Sequence, residues 1–123
     1  MNGNRFLIDT NIFLYLLSGN KTITEILDGT QPYVSFITQL ELLGYQGISQ
    51  KDMKSIMKFL EECIIIDIND EIKKHTISIS QKHKIKLPDS IIAATSIFLE
   101  LPLLTADKGF SKINSLRFAL YEE

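Results

Sequence analysis

Four acids in this chain stand where a carboxylate can do chemistry: Asp9, Glu41, Asp89 and Asp107. Each falls where an apolar run ends or a helical pattern begins. Asp9 closes Phe6-Leu7-Ile8, Glu41 lies in the first turn of the helix expected after Tyr33 to Phe36, Asp89 comes directly after Pro88, and Asp107 follows Thr105 by two residues. Carboxylates that converge without compensating arginines repel one another, and a bound cation removes that repulsion. The bases close to them in sequence are Lys86 and Lys108. An all-oxygen ligand set suits Mg²⁺ or Mn²⁺ rather than zinc, and a bound ion of that kind makes a nucleophile of water without a histidine base.

Taken singly, each acid also has a structural duty open to it. Asp9 can cap the helix that follows it. Thr38-Gln39-Leu40-Glu41 has the form of a capping box, in which Glu41 reaches back to the backbone of Thr38. Asp89 can act as a favourable charge at the positive end of a helix. Asp107 can cap the turn Lys108-Gly109-Phe110. Asn11 and Thr105 are placed to orient a carboxylate or a phosphate, and Thr105 can equally bond its own turn. Lys82, Lys84, Lys86 and Lys108 are candidates for phosphate contacts, or form a solvated face. His75 and His83 lack metal-site spacing and read as solvent-facing residues of one long helix.

The elements that must position these groups alternate in type. Phe6-Leu7-Ile8 predicts a buried strand, followed by a helix over about Asn11 to Ser18 that Gly19 closes. Thr22-x-x-Glu25 has capping-box form and predicts a short helix ending before Gly29. Tyr33 to Phe36 reads as a second strand and Thr38 to Tyr45 as a second major helix. Met53, Ile56, Met57 and Leu60 follow helical spacing on one face. Cys63 to Ile68 reads as a third strand, buried on both faces. A long helix over about Asp70 to Lys84 turns Ile72, Thr76 and Ile79 inward. Pro88 opens a nearly all-apolar helix, Ser90 to Leu99, that must lie inside the molecule. Pro102 to Thr105 is a fourth strand, and the alternation at Leu116, Phe118 and Leu120 predicts a fifth at the sheet edge. Strands separated by helices predict an α/β fold with a parallel sheet covered on both faces, and such folds put their chemistry beyond the carboxyl ends of the strands.

Composition narrows the class. At 123 residues, 45% hydrophobic and 23% charged, the chain has the size and balance of one globular domain. Thirteen lysines and arginines against 15 acids give a net charge of −2, so whole-molecule attraction does not gather nucleic acid; local lysines and bound cations must do so. Met1-Asn2-Gly3-Asn4-Arg5 is too short and polar for a signal peptide, and no run reaches membrane-spanning length. Cys63 is the one cysteine and reads as a buried apolar residue. A cytoplasmic protein is expected.

With these residues in place the chain resembles the PIN-domain family. Phe6-Leu7-Ile8-Asp9-Thr10-Asn11 is similar to its opening motif, Thr38-x-x-Glu41-Leu42 to its second, Leu87-Pro88-Asp89-Ser90-Ile91-Ile92-Ala93-Ala94-Thr95 to its third, and Leu103-Leu104-Thr105-Ala106-Asp107-Lys108-Gly109-Phe110 to its last. The likeness runs from Arg5 to about Leu120. It implies a five-stranded parallel sheet in an α/β/α sandwich, with Asp9, Glu41, Asp89 and Asp107 as metal-holding catalytic residues. It further implies Mg²⁺ or Mn²⁺ dependence and RNA cleavage, with Lys84, Lys86 and Lys108 toward the RNA. Small bacterial and archaeal members are usually toxins of toxin–antitoxin pairs, which implies an antitoxin partner and a homodimer. Phe13, Leu17 and Leu42 are then candidates for a groove that takes a partner helix.

Rival readings are a non-catalytic PIN scaffold binding RNA or protein and a haloacid-dehalogenase-like phosphatase. The phosphatase resembles Asp-x-Asp after its first strand, and here Asn11 stands where the second acid belongs. A response-regulator receiver needs an acceptor aspartate after its third strand, and Asp67 lies inside an apolar run instead.

Overall fold

The computed structural model describes residues 5–122; the first four residues, read above as too polar for a leader, and Glu123 lie outside it. Five strands form one sheet: β1 (Arg5–Ile8), β2 (Gln31–Ser35), β3 (Ile64–Ile66), β4 (Leu103–Thr105) and β5 (Phe118–Leu120). Their order is β3-β2-β1-β4-β5, and every pairing is parallel. Successive side chains of a strand point to opposite faces, so Leu7 and Leu103 enter one core while Ile8 and Leu104 enter the other. The first core is closed by α5 (Asp70–Lys82) and α6 (Leu87–Leu99). The second is closed by α1 (Thr10–Leu17), α2 (Lys21–Leu27), α3 (Phe36–Gly44) and α4 (Gln50–Leu60). This is the α/β/α sandwich with a five-stranded parallel sheet that the sequence predicts.

The apolar helix is the innermost one. Every residue from Ser90 to Ser96 is buried, and Ala93 and Ala94 are short enough to let α6 lie close against the sheet. Pro88 sits in its first turn, where its missing N–H leaves nothing unpaired. On α5 the buried residues are Ile72, Thr76 and Ile79, as the spacing requires.

Several local expectations are corrected. The cap of α2 is Asn20, whose side chain accepts from Ile23 N at 2.9 Å, and Thr22 lies exposed inside the helix. The cap of α3 is Ser35, accepting from Ile37 N at 3.2 Å; Thr38 is therefore already helical and Glu41 sits in the second turn, not the first. Residue 36 belongs to this helix rather than to β2. The run Cys63 to Ile68 supplies only a three-residue edge strand, with Ile64 and Ile68 exposed, so it is not buried on both faces. On α4, Met57 is exposed while Ile56 and Leu60 are buried. Phe13 and Leu42 are core residues, 1% and 2% exposed, and Leu42 is unavailable to a partner. His75 is half-buried on α5, and His83 caps that helix rather than belonging to it.

Candidate active site

β2 and β3 lie on one side of β1, and β4 and β5 on the other. The chain thus changes direction across the sheet between β1 and β4, which opens a crevice at the carboxyl ends of those two strands. Asp9 follows the last residue of β1, and Thr105 is the last residue of β4. Thr105 Oγ1 donates to Asp9 Oδ2 at 2.6 Å and accepts from Asp107 N at 3.0 Å. One buried hydroxyl therefore ties the first acid to the backbone of the last. Asp9 Oδ1 also accepts from Thr10 N at 2.7 Å as the cap of α1. The capping duty and a place at the crevice belong to the same carboxylate.

Asp9 is only 4% exposed. Burial pushes its carboxyl up to about 6; the hydrogen bonds from Thr105 and Thr10 pull it down, and the charges of Asp89 and Asp107 push it up again. Asp89 is raised in the same way, by burial first, then by Asp107 and Glu41, with Lys86 opposing. These couplings link all four acids into one electrostatic group.

Glu41 reaches the group from α3. Its Oε1 accepts from Thr10 Oγ1 at 2.8 Å, and the Thr10 and Thr38 hydroxyls are 2.9 Å apart. A hydroxyl has one proton to give, and that of Thr10 goes to Glu41, so Thr38 donates to Thr10. The sequence hinted at a Thr38–Glu41 pair, but the link runs through Thr10 and not through a capping box. Asp89 stands in the first turn of α6, a helix without a side-chain cap. Asp107 Oδ1 accepts from Gly109 N at 2.8 Å and caps the 3-10 turn Lys108–Lys112. A Cβ on Gly109 would lie 3.1 Å from that oxygen, so glycine keeps the space the carboxylate occupies. Asn11 Oδ1 accepts from Ala106 N at 3.3 Å; it braces the loop before Asp107 and touches main chain rather than a carboxylate.

The lysines divide. Lys84 and Lys86 line a cavity of about 230 Å³ together with Asp89, Asp107, Gly109, Phe110 and Lys112. Lys108 points elsewhere and meets Glu122 at 3.4 Å, while Lys82 borders a separate depression beside His83. Lys112 lies five positions beyond Asp107, where nothing in the sequence marks it, and the tight turn brings it back to the cavity. Burial pushes the Cys63 thiol up to about 12, which keeps it protonated and unreactive.

In kind, the donor set fits a hard divalent cation. Among the described residues no three acid, histidine or cysteine side chains gather closely enough to clasp one ion directly. The acids lie near one another without meeting at a point. That arrangement fits an ion such as Mg²⁺, which keeps several of its waters and takes only one or two carboxylates directly.

The PIN domain family model matches residues 6–116. The chain belongs to the PIN-domain family. No curated protein matches it in sequence. Among solved structures, the PIN domain is similar to a chain of a toxin–antitoxin complex from Klebsiella pneumoniae, 31% identical with a TM-score of 0.81, over 96% of this chain and 99% of that one. It is also similar to a chain of VapBC-1 from nontypeable Haemophilus influenzae, at 26% identity and a TM-score of 0.80, over 94% and 97%. A chain of VapBC2 from Rickettsia felis, solved on a DNA fragment from its promoter, shares the fold at 20% identity and a TM-score of 0.84, over 96% and 99%.

Proposed function

We propose that this PIN domain is a Mg²⁺- or Mn²⁺-dependent ribonuclease, the toxin of a toxin–antitoxin pair acting in the cytoplasm. The observation that carries the reading is the burial of Asp9 at the crevice between β1 and β4, with Asp89 and Asp107 raising its proton affinity and Glu41 coupled through Asp89. A fold keeps mutually repelling carboxylates at a strand-end crevice where a cation occupies their midst. Asp9, Glu41, Asp89 and Asp107 would hold it, one or two of them directly and the rest through its coordinated waters. When bound, such an ion lowers the pKa of its water and offsets the charge of the phosphate. Thr105 fixes the rotamer of Asp9, Thr10 fixes that of Glu41, and Asn11 holds the loop that carries Asp107. No histidine serves as base.

The alternative of a scaffold without activity accounts for the capping by Asp9 and Asp107 but gives no reason for Glu41 and Asp89 to be gathered beside them. The phosphatase reading also lacks support, because Asn11 stands where its acid belongs and is engaged with Ala106. The toxin role rests on the likeness to the Klebsiella and Haemophilus chains, which come from toxin–antitoxin complexes. An antitoxin segment has a surface to occupy: Leu16, Leu17 and Phe59 line a groove with Phe13 between α1 and α4. A homodimer is part of the same reading.

The test is cleavage of single-stranded RNA in Mg²⁺ or Mn²⁺, with and without excess chelator. Cleavage that disappears on chelation and returns with the metal is the expected result; full activity in chelator overturns the metal requirement. Expression of the chain alone is expected to arrest growth, and the Asp9→Asn variant is not. Identical growth for both overturns the toxin role.

A further inference from the structure

Two loops carry acids into the crevice, and each also carries lysines. The loop between α5 and α6 holds Lys84 and Lys86 ahead of Asp89, and the 3-10 turn holds Lys112 after Asp107. All three lysines are exposed and line the same cavity of about 230 Å³ with both aspartates. Among the described residues none of the three makes an ion pair, although two carboxylates share the cavity; the pairs present are Lys74–Glu71 and Lys108–Glu122. Three cations thus outnumber two acids on the wall of one cavity, in a chain whose net charge is −2.

We infer that this cavity is a phosphate subsite, in which Lys112, Lys84 and Lys86 hold the phosphodiester next to the one being cut in a single strand of RNA. The inference rests on the ribonuclease reading above. With a divalent ion between the acids, Asp89 and Asp107 no longer offset the lysines, and the cavity becomes cationic toward a second phosphate. Ammonium groups on flexible stems serve as point charges there, so the subsite holds the strand without reading its bases. Lys108 takes no part, because it faces Glu122 instead.

The probe is a fluorescently labelled single-stranded RNA, followed by anisotropy in millimolar Mg²⁺ over a range of monovalent salt. All four acids are left intact so that the ion binds, turnover is suppressed with a cleavage-resistant phosphorothioate backbone that keeps the phosphate charge, and the probe is checked to be intact afterwards. Adding Lys112→Ala is expected to weaken binding severalfold and to lower the slope of log K against log salt by about 0.7, the share of one single-strand phosphate contact. Adding Lys84→Ala as well lowers it by about 1.4. Lys112→Arg keeps the slope. Lys54→Ala, at an exposed position of α4, serves as the control. If Lys112→Ala matches that control, or if the RNA fails to bind, the subsite is wrong. Lysine-dependent binding by a protein whose parent chain cuts no RNA in any divalent metal would instead sink the nuclease reading and leave the subsite standing.

Discussion

Asp9 caps α1 and, under the proposed function, also holds metal; its acidity separates the two. In the metal-free protein its carboxyl is raised from 3.8 to about 6, chiefly by burial. The folded state therefore binds a proton that the unfolded state releases, and stability falls as pH rises from about 4 to about 6. The difference amounts to on the order of 3 kcal/mol. Metal-free melts across that range are expected to show the fall for the wild type and a clearly smaller one for Asp9→Asn, what is left coming from the raised Asp89. The same proton competes with metal, so affinity for Mn²⁺ is expected to weaken as pH drops below about 6; titration calorimetry at two pH values reads this directly. Glu41 depends on a different contact. Thr10→Val removes the hydroxyl that Glu41 accepts while keeping the shape. It is expected to weaken Mn²⁺ binding and cleavage, with Thr10→Ser restoring both. Equal behaviour of the three would remove Thr10 from the site.

At the scale of elements, periodicity was informative and cap chemistry was not. The inward set Ile72, Thr76 and Ile79, the buried α6 and the edge strand β5 follow from residue spacing alone, because burial of one face dictates it. Thr22-x-x-Glu25 and Thr38-x-x-Glu41 have the form of a capping box, but the N-caps lie two and three residues earlier, at Asn20 and Ser35, neither of which has a Glu or Gln three positions on. A local motif does not report where the preceding strand lets go of the chain. The run Cys63 to Ile68 misled for another reason: β-branched residues suit any strand, and only the sheet order shows that β3 lies at an edge. Asp9 and Asp107 stand out in the sequence beyond strand ends and Asp89 at a helix start, whereas the Thr10–Thr38 link and the return of Lys112 to the cavity depend on the packing of α1 on α3 and on the tight 3-10 turn. The cap assignment is testable. Asn20→Ala is expected to destabilise the fold by about 1 kcal/mol, and Thr22→Ala to stay within roughly 0.5 kcal/mol, in chemical denaturation.

The molecule gathers four acids at one crevice with Lys84, Lys86 and Lys112 beside two of them, while its overall charge of −2 is of the wrong sign to draw in RNA by itself. Under the proposed function, capture of RNA is local and tied to metal loading. No described helix is long and apolar enough to cross a membrane. The central claim is that Asp9 and Asp89 hold a metal ion, beyond the capping that Asp9 also performs, and one paired measurement tests it most directly. Cleavage of single-stranded RNA in Mn²⁺ is followed for the wild type, Asp9→Asn and Asp89→Asn, beside thermal melts of the same samples. The account predicts that both variants melt no more than a few degrees from the wild type and lose cleavage by orders of magnitude. Retained turnover in variants destabilised by ~0.5–2 kcal/mol, the signature of a lost cap, would contradict it.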